Sequence, residues 1–380
     1  MMLGVQSQLA KSFARVRTSP SSSYLFLAFS VFGFFASVPQ NTRAQAVPGV
    51  VVKGRVLDDS TSTPLPLVNV FIANSTLGTV TDTVGRFEIE RVPIGPQDIV
   101  ASMVGYQHNT KAVRLTDSSN AELEFRLKPQ SVQVPAVVVE GRDPIEWKKR
   151  LKRFDDAFLG STSNASRCRI LNPEILDFFV DKKTGRFTAT ARAPLQIENY
   201  ALGYRCQYFL QLFRETKESW QYTSYQYVGV AKFEQMKADN KDEAKQWQMS
   251  RRRAYEGSER HFLTALLQKD SRRDGFRINR IRKYWVQAAL QRPAGFEIDE
   301  DELVKPGDLP FQRRLSIEQP LQIVYTHLHQ TRYSVIELDR PSIIVYTNGY
   351  PEDPLSMLTY GYWAYQRFSD ALPIDYTPDE

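Results

Sequence analysis

Between residues 50 and 127, apolar and polar positions alternate in short runs, each closed by turn residues. VVVKGRVLD (50–58) ends in Asp58-Asp59-Ser60, and LVNVFIAN (67–74) is β-branched and apolar. TVTDTVGRFEIERV (79–92) turns at Gly85 and then alternates through Phe87 and Ile89, and DIVASMVGYQ (98–107) and ELEFRL (122–127) follow. Strands of this length, with turn signals every ~8–12 residues, predict an antiparallel sandwich of two sheets.

A proline-punctuated stretch, SVQVPAVVVEGRDP (131–144), separates this pattern from a different one. Pro144 suits the first turn of a helix. Residues 145–160 then place Leu151, Phe154 and Phe158 on one helical face, with Lys148, Lys149, Arg150, Lys152 and Arg153 on the other. The basic face reads as solvated, with acidic lipid or phosphate as the alternative. Residues 168–236 return to strands: a hairpin turning at residues 181–185, then two long aromatic runs, 203–213 and 219–233. Helical spacing resumes from 241 to 270, with Gly257 as a break that allows a helix pair. Strands are expected over 275–285, 315–327, 333–338 and 342–349, and a short closing helix over 361–373. The fold class expected is therefore an all-β sandwich followed by a larger, strand-rich α+β domain.

The first 46 residues fit neither pattern. Lys11, Arg15 and Arg17 precede fifteen uncharged residues (24–38), and Ala44-Gln45-Ala46 follows. A basic start, a short apolar stretch and a small-x-small site read as a secretory signal peptide cleaved after Ala46. A membrane anchor is the alternative, but fifteen helical residues reach roughly 22 Å, short of the ~30 Å hydrocarbon core. The expected organisation is a leader (1–46), a sandwich (47–130), a linker (131–144) and an α+β domain (145–380).

Composition changes the picture at one point. The chain carries 49 Lys and Arg against 43 Asp and Glu. Removing the leader leaves 45 basic residues and a net charge of +2. Long-range attraction to nucleic acid loses its basis, so no nucleic-acid partner is expected.

Within the first region, Gly54-Arg55-Val56, Pro64-Leu65-Pro66, Asn69-Val70, Gly78-Thr79, Thr81-Asp82, Gly85-Arg86-Phe87, Gly95 and Val104-Gly105-Tyr106 stand in order. This series resembles the carboxypeptidase regulatory-like domain of secreted bacterial proteins, a transthyretin-like β-sandwich (also Ig-like in outline). Such domains accompany carboxypeptidase catalytic domains and the front of TonB-dependent outer-membrane receptors. Among the glycines, Gly85 suits a tight turn with positive φ, and Gly54 and Gly105 suit close backbone approach or bulges. Zinc carboxypeptidases use a His-x-x-Glu pair, and none of His108, His261, His327 and His329 has Glu at the third following position. The resemblance therefore implies an accessory module without the enzyme. Leu171-Asn172-Pro173-Glu174, Tyr255-Glu256-Gly257-Ser258, His261-Phe262-Leu263 and the terminal Leu372-Pro373 with Asp375-Tyr376-Thr377-Pro378 resemble the region that follows this sandwich in such secreted proteins; no activity comes with that likeness.

Candidate chemistry is sparse. Gly-x-Ser-x-Gly, Ser-x-x-Lys, Gly-Lys and Gly-x-Gly are all missing, which removes the usual serine-hydrolase elbow, phosphate cradle and dinucleotide fingerprint. No cofactor and no metal site are expected. His327 and His329 share one strand face, too few groups to hold a metal without further ligands. The acidic run Glu297, Asp299, Glu300, Asp301 and Glu302 lacks the spacing of a calcium loop and reads as solvated. Arg253, Tyr255, Ser258 and His261 gather polar groups on one helical segment and form the candidate ligand site; helix packing and capping are the alternative. Cys168 and Cys206 can form a disulfide in an oxidising compartment, worth about 3–4 kcal/mol, or remain two buried thiols.

The function these features favour is an exported, non-catalytic binding or scaffolding protein of the bacterial cell envelope. Its expected partner is an envelope protein or a glycan, in the periplasm or at the outer membrane or cell surface. Two alternatives remain. One is an envelope hydrolase with an unrecognised site in the C-terminal region. The other is an outer-membrane barrel or TonB-linked component, invited by the alternating aromatic strands.

Overall fold

The computed structural model describes residues 49–116, 121–130, 143–217, 223–328 and 330–378. The leader, VPAVVVE and His329 lie outside the described residues.

Seven strands build the first region: β1 (Gly49–Asp58), β2 (Asn69–Ile72), β3 (Gly78–Val80), β4 (Arg86–Pro93), β5 (Gly95–Ser102), β6 (Asn109–Leu115) and β7 (Ala121–Leu127). One sheet has the order β4-β1-β7 and the other β3-β2-β5-β6. In β4, Phe87 and Ile89 are buried while Glu88 and Glu90 are exposed, as the period of two requires. These join Val52, Val56, Val70, Ile99, Leu115 and Phe125 in a core between the two sheets. Two features depart from the expectation. β7 runs parallel to β1, whereas the other pairs are antiparallel. β6, which sequence patterning did not single out, forms the edge beside β5, its burial alternating only between half-buried and exposed until Leu115. Gly85 sits at φ 74°, as its turn demands, and Gly105 also has positive φ, 86°, with open space around it instead of a close neighbour.

The next part opens with α1 (Pro144–Phe158), capped by the Asp143 carboxylate on the amide of Ile145. Its apolar face lays Phe154 and Phe158 against Phe178, Tyr208, Phe213 and Phe368. Three side chains of its basic face have acidic partners, Arg150 with Glu146, Lys152 with Asp156 and Arg153 with Glu215. Strands β8 (Cys168–Ile170), β9 (Leu176–Val180), β10 (Phe187–Ala191), β11 (Leu195–Asn199), β12 (Tyr204–Lys217) and β13 (Thr223–Gln235) form one sheet. In it β12 takes β11 and β10 along one edge and all of β13 along the other. The β9–β10 hairpin turns where expected, with the Asp181 carboxylate accepting from the amides of Lys183 and Thr184.

Two helices follow, α2 (Lys241–Tyr255) and α3 (Glu259–Gln268), so Gly257 separates a helix pair. The buried face of α3, with Phe262, Leu263, Ala265 and Leu266, packs on a second β-layer. That layer holds β14 (Phe276–Arg280), β15 (Phe296–Glu297), β16 (Val304–Pro306), β17 (Gln312–Ser316), β18 (Leu321–His327), β19 (Gln330–Leu338), β20 (Ser342–Tyr346) and β21 (Met357–Gly361). Its sheets run β15-β14-β18-β19-β21 and β16-β17-β20. The run expected as one strand over 315–327 is cut into β17 and β18, with Pro320 in the gap. The closing helix expected over 361–373 is replaced by one helical turn at Tyr362–Tyr365 and a 3-10 turn at Phe368–Asp370. Trp363 belongs to the core beneath α3 and Phe368 to the core beneath α1, so the segment bridges two cores and cannot serve both from one helical face.

The sandwich is joined to the sheet beyond it. Asn74 donates its amide to the Ala231 carbonyl at 2.7 Å and accepts from the Ala231 amide on its side chain at 2.9 Å. The Phe233 amide donates to the Ser75 carbonyl, and Phe71 stacks on Phe209 at 5.8 Å. The architecture is thus a two-sheet sandwich docked, through the end of β2 and the outer face of its β3-β2-β5-β6 sheet, onto a strand-rich α+β region. No helix among the described residues is long and apolar enough to cross a membrane.

Candidate functional site

The turn between α2 and α3 brings Tyr255, Ser258 and His261 together. Ser258 is the N-cap of α3, its hydroxyl accepting from the backbone amide of His261 at 3.1 Å. The His261 ring lies 5.0 Å from Tyr255 and packs edge-on to Phe276 and Tyr325. Its Nδ1 accepts from the Gly257 amide at 3.0 Å, and its Nε2 lies 3.6 Å from Asp274. Arg253, in the last turn of α2, is exposed. Asp274, absent from the sequence-derived set, closes the cluster.

This geometry limits the chemistry. A nucleophilic serine needs the imidazole of its base within hydrogen-bond reach of its hydroxyl. Here Nδ1 is occupied by a backbone amide and Nε2 faces a carboxylate, while the Ser258 hydroxyl serves the helix end. The His261 side chain thereby fastens the α2–α3 turn to the loop carrying Asp274.

Burial holds the His261 imidazole below its ordinary range, with Asp274 and Glu256 pulling the other way. The unfolded chain therefore takes up this proton more readily than the folded one. The stabilising contribution is complete above the unfolded value near 6.5 and is lost as pH falls below it. Denaturant unfolding between pH 7.5 and 5 is expected to show an acid-side loss of stability that His261→Gln reduces, with His108, also held low by burial, supplying part of the remainder. Equal pH slopes in the two proteins would refute this role.

His327 lies 3.9 Å from Glu256 and is half exposed. No group of three or more His, Cys, Asp or Glu side chains among the described residues is arranged to hold a metal ion. Cys168 and Cys206 are both buried and free. Cys168 pairs with Asn199 and Cys206 with Ile197 on the two sides of β11. Two strand spacings, about 10 Å, separate them, beyond the ~7 Å that a disulfide spans between Cα atoms. Burial pushes the Cys168 thiol up to about 12 and Cys206 well above its ordinary value, so both stay protonated.

Sequence reading passed over two further titratable groups. Burial raises the Glu259 carboxyl to about 7 and Asp155 to about 6. Both sit on helices whose spacing alone makes them ordinary solvent-side acids; only the packing of distant segments desolvates them.

Two cavities open at the surface. One, of about 360 Å³, lies between β3 and the end of β13, with Thr79, Val80, Lys232 and Glu234 in its walls. The other, of about 250 Å³, lies beyond the end of α3 and is lined by Ser271, Arg272, Phe276 and the acidic run from Glu297 to Glu300. The acidic run is solvated as expected and paired on its flanks, Arg272 with Glu297, Lys269 with Asp301 and Arg280 with Glu302.

Comparison with known proteins adds one firm result. Residues 52–139 match the model of the CarboxypepD_reg-like domain. No curated protein matches the chain. Among solved structures, a cohesin–X-dockerin complex from Acetivibrio cellulolyticus is 27% identical over 20% of this chain and 53% of that one, with a TM-score of 0.18. The chain thus spans about half the length of that protein. A group B streptococcus pilus 2b backbone protein is 15% identical over 22% of this chain and 42% of that one (TM-score 0.19). A DUF3823 family protein from Bacteroides uniformis is 7% identical over 79% of this chain and 99% of that one (TM-score 0.15). At these TM-scores none of the three bears on what this chain does. The family match stands on its own and takes in β2 to β7 and most of β1. The sandwich at the front of this chain is a CarboxypepD_reg-like domain.

Proposed function

We propose that this chain is an exported, non-catalytic binding or scaffolding protein of the bacterial cell envelope, taking an envelope protein or a glycan as partner. The observation that carries the reading is the regulatory-like sandwich fastened to a second region through backbone bonds at Asn74 and Ser75. A module fastened at the end of β2 and along the outer face of one sheet holds its loops and its edge strands in a fixed orientation toward a partner. The engagement of Ser258 and His261 in helix capping and packing supports a non-catalytic role. The basic, apolar and small-x-small order of residues 1–46 supports export.

Expression of the full-length tagged protein, followed by osmotic shock and N-terminal sequencing, tests this. The expected result is a released protein beginning at Val47 that co-purifies with an envelope component. Retention in the cytosol with the leader uncut would overturn the reading. So would turnover of a peptide or glycan library that is lost on changing Ser258 or His261.

A further inference from the structure

The cavity between β3 and the end of β13 runs along a sheet edge. β3 bonds to β2 on one side and to no described strand on the other. The Leu77 carbonyl accepts from the amide of Ile72, and the Thr81 amide donates to the carbonyl of Val68. Leu77, Thr79 and Thr81 therefore turn their backbone groups toward β2, and Gly78 and Val80, between them, turn theirs outward. Gly78 and Val80 both line the cavity, and the Val80 side chain is 48% exposed.

The opposite wall comes from Lys232, Glu234 and Gln235. The half-buried Lys232 donates from Nζ to Oδ1 of Asn69 at 2.7 Å and lies over the Phe71 ring at 5.9 Å. Asn69 is the ladder partner of Val80, so the ammonium stands beside the outward edge, on the sheet face that Asn69 and Val80 share. Among the described residues its hydrogen-bond partner is that neutral amide, and no carboxylate lies in ion-pair range. Burial holds the ammonium below its ordinary range, with Glu234 working the other way. A desolvated cation with only a neutral partner gains most from an incoming carboxylate.

We propose that the outward edge of β3 takes an extended peptide segment of a partner protein as an added strand, with an acidic side chain of that segment paired to Lys232. Gly78 and Val80 together offer about four backbone bonds, spaced by the two-residue repeat of another strand. Alternate side chains of the added strand fall on the face that carries Val80 and Lys232, and the cavity of about 360 Å³ gives them room.

The inference deepens the reading of a binding protein with a protein partner and rests on it. Location and processing decide that reading, whereas peptide titration decides this one, so the two fail separately. The probes are two capped pentapeptides, Thr-Val-Glu-Val-Thr and the same with glutamine at its centre, titrated into the full chain by calorimetry and by NMR of the Gly78 and Val80 amides. The glutamate peptide is expected to bind and to shift both amides, and the glutamine peptide to bind about tenfold more weakly. Lys232→Met should abolish that preference, and Glu234→Gln should tighten the glutamate peptide about threefold. Val80→Pro deletes one outward amide without touching the bonds to β2 and should abolish binding of both peptides. Lys232→Met keeps the buried stem and Glu234 is exposed, so the test stands even where Val80→Pro fails to fold. Binding of neither peptide, an unchanged preference in Lys232→Met, unmoved Gly78 and Val80 amides, or binding of sodium glucuronate in place of the peptides would each overturn the proposal.

Discussion

Gly54→Ala is expected to destabilise the sandwich by about 3–5 kcal/mol, among the largest effects of any single substitution in this chain. Gly54 lies in the middle of β1, paired with Phe87 of β4 on one side and Leu123 of β7 on the other. A Cβ there would stand 1.9 Å from the Leu123 carbonyl oxygen and 2.8 Å from the Phe87 ring. The Leu123 oxygen belongs to backbone held in a parallel ladder, so it cannot swing aside as a side chain would. Relief requires β7 to move off β1, which opens the core at Phe125 and Leu127. Denaturant unfolding checks this against Lys53→Ala next door, whose exposed pair with Glu88 should contribute less than about 1 kcal/mol. Equal stability of the two variants would refute the close-approach role.

Arg260→Ala is expected to cost about 3 kcal/mol and to free the C-terminal tail. The guanidinium donates to the carbonyls of Pro373 at 2.8 Å, Ile374 at 2.6 Å and Tyr376 at 3.1 Å. It also lies over the rings of Tyr255 and Tyr350. The tail it holds reaches the sandwich: Ile374 donates its amide to Asn74 at 2.7 Å, and Asp375 accepts from the Thr76 amide at 2.9 Å. Ile374 further packs against the sandwich core. One side chain on α3 therefore clamps a strap that crosses to the sandwich. Removing it leaves three carbonyls without their charged donor, so amide exchange at Ile374 and proteolysis of the tail should both accelerate. Arg260→Lys should recover only part of the loss, because an ammonium cannot fan out to three carbonyls as the planar fork does. Unchanged exchange at Ile374 in the alanine variant would show that the tail is held by other means.

Much of the fold was legible because it is written locally. The 3.6 spacing of Leu151, Phe154 and Phe158, with Pro144 ahead of it, marks α1 to within two residues. Asp181 and Gly185 mark the hairpin, since an Asp side chain can satisfy its own turn. Gly257 marks the break between α2 and α3. The ordered glycines and apolar clusters of residues 50–128 carry enough information to identify the sandwich and its family.

The candidate site was read less well. Tyr255, Ser258 and His261 do meet, because they share one turn, but their roles come from the groups that face them: the Gly257 amide, Asp274 and Tyr325. The cavity beyond α3 joins residues 271–278 to residues 297–300, and nothing in either segment alone announces the other.

Residue order along the chain was enough to define the front module, the helix and hairpin boundaries and the missing catalytic motifs, since each depends on neighbours a few positions apart. The parallel seat of β7 against β1, the split of the closing segment between two cores, the separation of the two thiols across β11 and the Arg260 strap depended on folding. Each joins segments from tens to hundreds of residues apart, and such contacts follow from how whole surfaces bury one another.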